Sequence, residues 1–366
     1  MYDVVIIGGG PAGVTAGMVL QKEGFRTCII DCKKFPREKL CAGVLSAKSI
    51  KLVNNIYNGI DLDSIGITYL NKIALFYKNE MIGKYIVKNK YGVVDRKLFD
   101  NELMKNYIKF GGELLDGQKN YKVLYDKNKI IMQNNKELKY RFLIGADGFN
   151  SKTRMYVDNM WKVSVLCFEK FVPNLSNEDT IKIYFGNVFG GYNWRIPGRE
   201  KIGIGLGGVY LKGIKRSSNK YKKIFEEQGI ETSEKIDGAF VSLGLFVKNP
   251  IKNNVLLIGD AAGLIDAISG EGIFFALESG RQAALALAQY FRDSRNQITY
   301  KKRLTYIHRK MREQRLFNKL LYAPLIQRMV ISYMKKNPEF VQRVFDDVIS
   351  SYKSGYIREI INNYYI

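Results

Sequence analysis

Gly8-Gly9-Gly10-Pro11-Ala12-Gly13 follows an apolar run over 2–7 and opens a stretch of small residues from Pro11 to about Glu23. Glycines spaced G-x-G-x-x-G between a strand and a helix make a phosphate cradle. Gly8 permits the tight turn, Gly10 lets the backbone approach a pyrophosphate at the helix N-terminus, and Gly13 allows close packing of helix on strand. Pro11 and Ala12 form the first turn of that helix and share the cradle. Asp31 closes the next apolar run, 18 residues after Gly13, where a carboxylate can accept from ribose hydroxyls. The alternative is a glycine-rich turn that holds no ligand. The turn alone does not separate NAD from FAD.

Other reactive residue types are scarce. One histidine, His308, argues against a His-based metal site or a Ser-His-Asp triad. Four cysteines make no disulfide framework and lack zinc spacing, with Cys28 and Cys32 four apart and Cys41 and Cys167 isolated. Nothing resembles a signal peptide, and no stretch approaches the ~18 apolar residues of a membrane helix, so a cytoplasmic setting is expected. Of the 366 residues, 46% are hydrophobic and 25% charged, a globular balance sufficient for about two domains. Lys plus Arg number 58 against 35 Asp plus Glu, and the net charge of +23 bears on partners rather than fold.

The cradle needs elements to hold it. The run over 2–7, the helix from Pro11 and the strand Arg26–Ile30 make one βαβ unit. Apolar runs at 73–77 and 81–87 flank a polar turn and predict an antiparallel hairpin. Asp95 reads as an N-cap to a helix carrying Phe99, Leu103 and Tyr107 and stopping at Gly111. Residues 160–250 read as mostly strand (182–185, 201–206, 240–247), Asn254–Ile258 as a buried strand, and Gly272–Arg292 as a long helix. Gly203-Ile-Gly-Leu-Gly207 lies among strand signals and lacks a following helix. The expected fold is α/β, α+β overall. A Rossmann-like nucleotide-binding domain (1–65, 92–155, 250–295) is interrupted by an antiparallel β-sheet substrate domain (66–91, 156–249), and a basic helical region (296–366) follows.

Two further clusters follow buried-type strands: Gly145-Ala146-Asp147-Gly148 and Gly259-Asp260-Ala261-Ala262-Gly263. The ordered set of three resembles the FAD-binding domain of the para-hydroxybenzoate hydroxylase-like flavoproteins. That resemblance implies FAD, with Asp260 on the ribityl chain, Gly259 and Gly263 shaping its loop, and Asp147-Gly148 near the pyrophosphate and the nicotinamide approach. Gly270-Glu271-Gly272-Ile273 opens the long helix, and the resemblance aims that positive helix end at the flavin pyrimidine. An ordinary glycine-flanked helix start is the alternative. Arg96 resembles a flavin-contacting arginine of the superfamily, or is a solvated arginine at a helix start.

Phe35-Pro36-Arg37-Glu38-Lys39-Leu40-Cys41-Ala42-Gly43-Val44 resembles the F-P-R…C-G-G-G segment of the geranylgeranyl reductase family. Tyr192-Asn193-Trp194-Arg195-Ile196-Pro197 resembles its Y-x-W-x-F-P segment. By motif order the resemblance covers most of 1–290. It implies that Arg37 contacts the FAD phosphates, as Cys32 beside Asp31 and the Ala42-Gly43 backbone contact the cofactor. Cys41 would lie by the isoalloxazine facing substrate, as the catalytic candidate and proton donor, and Tyr192 and Trp194 would line the substrate cavity. For Cys41, and for Tyr192 and Trp194, plain packing is the alternative. Ala42 and Val44 replace two glycines of the cysteine motif, and Ile196 replaces a phenylalanine. The implied reaction is reduction of C=C bonds in an isoprenoid or other apolar substrate. Its rivals are a flavin monooxygenase or halogenase, since W-x-W-x-I-P differs from this motif at one residue, and a non-catalytic flavin- or lipid-binding protein. No second dinucleotide cradle is present, so NAD(P)H binding transiently or a ferredoxin-like protein is the expected electron donor.

From Lys301 to Lys336 eleven basic residues interleave with Leu316, Phe317, Leu320, Leu321, Leu325, Ile326 and Met329. Pro324 divides the helix there. A basic amphipathic helix suits an anionic membrane surface, giving peripheral attachment; the alternative is a basic solvated face packed on the FAD domain. No nucleic-acid module is recognised, and nucleic acid is not an expected partner.

Overall fold

A computed structural model describes residues 1–158, 165–209, 221–231, 236–293, 295, 297–321 and 324–350. The side chains of Phe317, Lys319 and residues 320–325, and all of 351–366, fall outside the described residues. In chain order the elements are β1 (Tyr2–Ile7), α1 (Pro11–Lys22), β2 (Thr27–Ile30), β3 (Val44–Leu45), α2 (Ala47–Tyr57), β4 (Thr68–Tyr77) and β5 (Glu80–Val93). Then come α3 (Arg96–Lys109), β6 (Glu113–Leu115), β7 (Tyr121–Leu124), β8 (Lys129–Met132), β9 (Glu137–Gly145) and α4 (Lys152–Val157). The next group is β10 (Val165–Pro173), β11 (Thr180–Phe185), β12 (Tyr192–Pro197), β13 (Lys201–Val209), α5 (221–226) and β14 (Asp237–Val241). The chain continues through β15 (Ile251–Lys252), β16 (Val255–Leu257), α6 (Ile273–Arg292), α7 (Tyr300–Arg303), α8 (Thr305–Leu321), α9 (Pro324–Lys336) and α10 (Pro338–Ser350).

The strands form two sheets. The first runs β15-β16-β9-β1-β2-β6, parallel except at β15. β1 is apolar on both faces because both are covered. Val4 and Ile6 pack with α1, α3 and α6, while Val5 and Ile7 pack with Ile130, Met132 and Leu138 of the β7-β8-β9 ladder. Ile7 pairs with Gly145, and Gly145 pairs with Leu257. The three glycine clusters therefore meet at the C-terminal edge of three adjacent strands, where open α/β sheets bind ligands. α1 and α6 touch closely: a Cβ on Gly280 would stand 2.3 Å from the Ala12 carbonyl oxygen.

The second sheet runs β14-β10-β13-β12-β11-β4-β5-β3, antiparallel except for β11 on β4. The expected 73–87 hairpin is β4–β5, and Asp95 caps α3 by accepting from the Lys97 N–H at 2.8 Å. Along β13, Ile202, Ile204 and Leu206 pack with Ile224 and Phe225 of α5. Gly203, Gly205 and Gly207, which alternate with them along β13, face the opposite way.

The structure departs from the sequence reading in two places. The strand expected over 240–247 stops at Val241, because Gly244 turns with φ +73 and the Val247 N–H bonds to the Ala262 carbonyl in the turn after β16. β3 and α5 were not foreseen; the one is two residues long, the other six. The C-terminal helices pack on the rest of the fold, as one of the two sequence readings has it. Tyr300, Leu304, Ile307 and Met311 are buried in the first core, and Phe340 and Val341 pack on the second sheet. His308 is buried too, stacked on Phe246 with ring centroids 4.6 Å apart.

Candidate active site

At one end of the sheet edge lies the cradle. Gly8 has φ +106, and a Cβ there would stand 2.2 Å from the Ala146 carbonyl oxygen. A Cβ on Gly13 would stand 2.0 Å from the Gly8 carbonyl oxygen, so the turn and the helix seat both require glycine. Gly10 differs. Around its Cβ position only Arg37 Nη2 comes near, at 3.7 Å, so the space in front of the turn is open. No side chain caps α1, which begins with Pro11, and its first-turn N–H groups are left for an anion. Asp31 is buried beside this space, accepting from the Gly9 N–H at 2.8 Å and the Lys33 N–H at 2.9 Å. Arg37 spans Asp31 (3.5 Å) and Asp100 (3.1 Å), and stacks on Phe35. Cys32, next to Asp31, is exposed.

At the other end, the 3-10 turn Gly259–Ala262 follows β16, and Gly263 ends it with φ +75. A Cβ on Gly272 would stand 3.7 Å from Asp260 Oδ1, so Asp260 lies against the start of α6. Among the described residues nothing hydrogen-bonds the Asp260 carboxylate. Gly272 caps α6 without a side-chain bond, leaving the N–H groups at Ile273 and the rest of the first turn to face a ligand. Glu271 points away from that end and pairs with Lys48 at 2.7 Å. Asp147 does not present a free carboxylate: Ser151 Oγ (2.5 Å), Thr153 N (3.1 Å) and Thr153 Oγ1 (3.2 Å) donate to it, fastening α4. Gly148 beside it has φ +73 and open space around its Cβ position.

Between these ends stands the Cys41 loop. Gly43 has φ +73, and a Cβ there would stand 1.9 Å from the Val94 carbonyl oxygen, so the loop is pressed onto the end of β5. Ala42 is half-buried in this loop. Cys41 Sγ accepts from the Gly43 N–H at 3.5 Å, and Arg96 lies near enough for the two groups to interact electrostatically. Arg96 is buried, not solvated, and bonds Asp100 at 2.8 and 3.0 Å. Burial opposes its charge, but Asp100 and Cys41 outweigh this and raise its pKa above the ordinary value.

The face of the second sheet away from α5 carries the aromatic pair. Tyr192 donates to the Ser269 carbonyl at 2.5 Å, and its hydroxyl lies 3.2 Å from the Cβ position of Gly270. Trp194 lies 5.7 Å from Tyr192, ring to ring, over β13: a Cβ on Gly205 would stand 2.4 Å from the indole. Gly203, Gly205 and Gly207 are thus the bed on which neighbouring side chains lie. The sequence reading missed two residues of this wall. Cys167 lies 2.7 Å from the Gly207 Cβ position, and Glu169 Oε1 accepts from Trp194 Nε1 at 3.0 Å. Burial pushes the Glu169 carboxyl up to about 7, and burial, Glu169 and Cys41 push the Cys167 thiol up to about 12. The signal available was the alternation Cys167-x-Glu169 opposite Gly203-x-Gly-x-Gly207.

An open cradle at Gly10, an unpartnered carboxylate at Asp260 and an uncapped α6 terminus fit a dinucleotide flavin lying along the edge. Residues 1–165 match the family described as FAD binding domain. The fold and site define an FAD-dependent oxidoreductase. Digeranylgeranylglycerophospholipid reductase 3 of Methanosphaera stadtmanae is 30% identical over 318 residues, covering 78% of this chain and 77% of the relative. Geranylgeranyl diphosphate reductase of Rhodobacter capsulatus is 27% identical over 316 residues, covering 80% and 77%. The crystal structure of a geranylgeranyl bacteriochlorophyll reductase-like protein from Thermoplasma acidophilum superimposes with TM-score 0.76 at 19% identity, covering 99% of this chain and 98% of that one. The chain belongs to the geranylgeranyl reductase family of the para-hydroxybenzoate hydroxylase-like superfamily.

Proposed function

We propose that this enzyme reduces C=C bonds of an isoprenoid chain or a similar apolar substrate. The observation that carries the reading is the aromatic wall of Tyr192 and Trp194, tied to the flavin loop through Ser269, in a chain whose relatives are named as isoprenoid reductases. FAD, when bound and reduced, supplies a hydride. The rest falls to the protein. Gly10, Asp31 and Arg37 would hold the adenosine and pyrophosphate, and Asp260 would accept from the ribityl hydroxyls. The α6 terminus at Gly272 would favour negative charge on the reduced ring. The Cys41 loop would face substrate, near Arg96. The segments 1–65, 92–155 and 250–295 would form the flavin domain and 66–91 with 156–249 the substrate domain.

An isolated C=C bond has no carbonyl to store developing charge, so a proton must reach one carbon as hydride reaches the other. A cavity acid therefore belongs to this reading. The electron donor would be NAD(P)H binding transiently or a ferredoxin-like protein. Exposed Arg312, Arg315 and Arg328, beside Leu316 (65% exposed) and Met329 (52%), would attach the enzyme to an anionic membrane where such substrates dissolve. Among the described residues no helix is long and apolar enough to cross a membrane.

The test is turnover. Dithionite-reduced enzyme mixed anaerobically with geranylgeranyl diphosphate should reoxidise its flavin and yield a product heavier by two hydrogens per bond. Flavin that stays reduced with isoprenoids but consumes oxygen with an aromatic substrate would transfer the protein to the monooxygenase reading.

A further inference from the structure

Glu169 is a buried carboxyl that the flavin site does not use. It lies on β10, 4% exposed, two residues from Cys167 and on the same face. That face also carries Trp194 and the Gly203, Gly205 and Gly207 bed; the opposite face is filled by α5. One carboxyl oxygen accepts from Trp194 Nε1 at 3.0 Å. The other has no hydrogen-bond partner among the described residues, and no cation pairs with the group. A charged carboxylate so placed would be costly, and a protonated one is not.

The surroundings can be taken element by element. On β10 the neighbours along this face are Cys167 and Phe171. Across β13 stand glycines, then Lys201, whose ammonium is engaged by Asp95 at 2.6 Å and lies over the Phe171 ring. On β14, Asp237 is opposite Glu169 in register and exposed. From the loop side Cys41 comes near enough to influence Cys167. Burial pushes Glu169 up to about 7, against the pull of the Trp194 hydrogen bond.

We propose that Glu169, oriented by Trp194, is the acid that delivers the proton to the substrate double bond. This rests on the reductase reading and names the donor that it requires. The π bond breaks as one carbon takes hydride from reduced FAD and the other takes the carboxyl proton from Glu169. Two C–H bonds form, FAD is left oxidised, and Glu169 is left as a carboxylate that water reprotonates. Cys41, whose sulfur accepts from the Gly43 N–H, then contacts substrate without supplying the proton.

Two measurements test this on the FAD-loaded enzyme. The infrared difference spectrum of the oxidised protein between acid and alkaline pH should show a protonated-carboxyl band lost with a midpoint near 7. Glu169→Gln should lack it. Trp194→Phe removes the donor that favours the charged form, so it should move the midpoint upward. In single turnover with geranylgeranyl diphosphate, Glu169→Gln should keep FAD and its reduction by dithionite while flavin reoxidation slows ~10²-fold or more. Reoxidation at the parent rate, or a parent band unchanged by Glu169→Gln, overturns the assignment. A parent enzyme that reduces no isoprenoid overturns the reductase reading and the proton's destination together; the infrared band would still report whether the acid is there.

Discussion

Glu169→Gln takes an ionisable proton out of the interior while leaving an oxygen to which the Trp194 indole can donate. In the folded chain this carboxyl titrates near 7, against 4.5 for an ordinary glutamate. Between those values the unfolded chain binds fewer protons than the folded one, so stability falls as pH rises through the window. At ~1.36 kcal/mol per pH unit, the full loss above the folded value is roughly 3 kcal/mol. Because the group is 4% exposed, solvent screens little of this. Between about pH 5.5 and about pH 8.5 the loss works out at roughly 2 kcal/mol. Urea unfolding at both pH values, with saturating FAD, should show the parent losing that much more than Glu169→Gln. His308 acts in the opposite sense. Burial, helped by Arg312 and Lys301, lowers it to about 4, so its contribution is lost as pH falls below 6.5. It is common to both proteins and cancels. Equal pH slopes for parent and variant would refute the claim that a neutral carboxyl is buried at this position.

Gly10→Val should fold yet purify colourless, because its Cβ meets only Arg37 Nη2 at 3.7 Å while filling the place of the pyrophosphate; Gly13→Val, whose Cβ would stand 2.0 Å from the Gly8 carbonyl oxygen, should fail to accumulate as soluble protein. Absorbance and released FAD separate the two. Asp260→Ala should raise the FAD dissociation constant about tenfold or more by removing acceptors for sugar hydroxyls, read by fluorescence titration of apoprotein. Cys41→Ala should keep FAD and lose less alkene reduction than Glu169→Gln; a ~10²-fold loss here with Glu169→Gln unimpaired would return the acid role to the thiol. Sedimentation with anionic vesicles should fall as salt rises, and equal binding to neutral vesicles would count against the basic surface around Arg312, Arg315 and Arg328.

The first domain was readable because its signals are local. A strand, a G-x-G-x-x-G turn and a helix start are contiguous, and Asp95 with Phe99, Leu103 and Tyr107 marks α3 without reference to anything distant. The site was readable where backbone geometry demands glycine, as at Gly8, Gly13 and Gly43. It was not readable where distant strands converge. Nothing in Cys167-Phe-Glu169 says which face of β10 meets Trp194, since that follows from the β12-β13-β10 order and register. Asp147 was expected near the pyrophosphate by resemblance, and only the fold shows Ser151 and Thr153 donating to its carboxylate. In the C-terminal helices the packing was hidden for a related reason. Charge is visible in sequence, whereas the buried stripe of Tyr300, Leu304, Ile307 and Met311 gains meaning from the core that receives it.

The two-residue strand β3 pairs Val44 with Val93 and Leu45 with Gly92, just where β5 turns into α3. Cys41 therefore hangs from the same junction that launches Arg96, and both inherit their positions from one edge of the second sheet. A slip of one residue in this pairing would reverse which side chains face the cavity. The far end of the same hairpin, at Lys78 and Asn79, bears no such constraint. A change of length at that turn would leave Cys41 and Arg96 in place, while an insertion between 41 and 45 or between 92 and 96 would move one relative to the other. Variation in length should thus accumulate at one end of β4–β5 and be purged at the other.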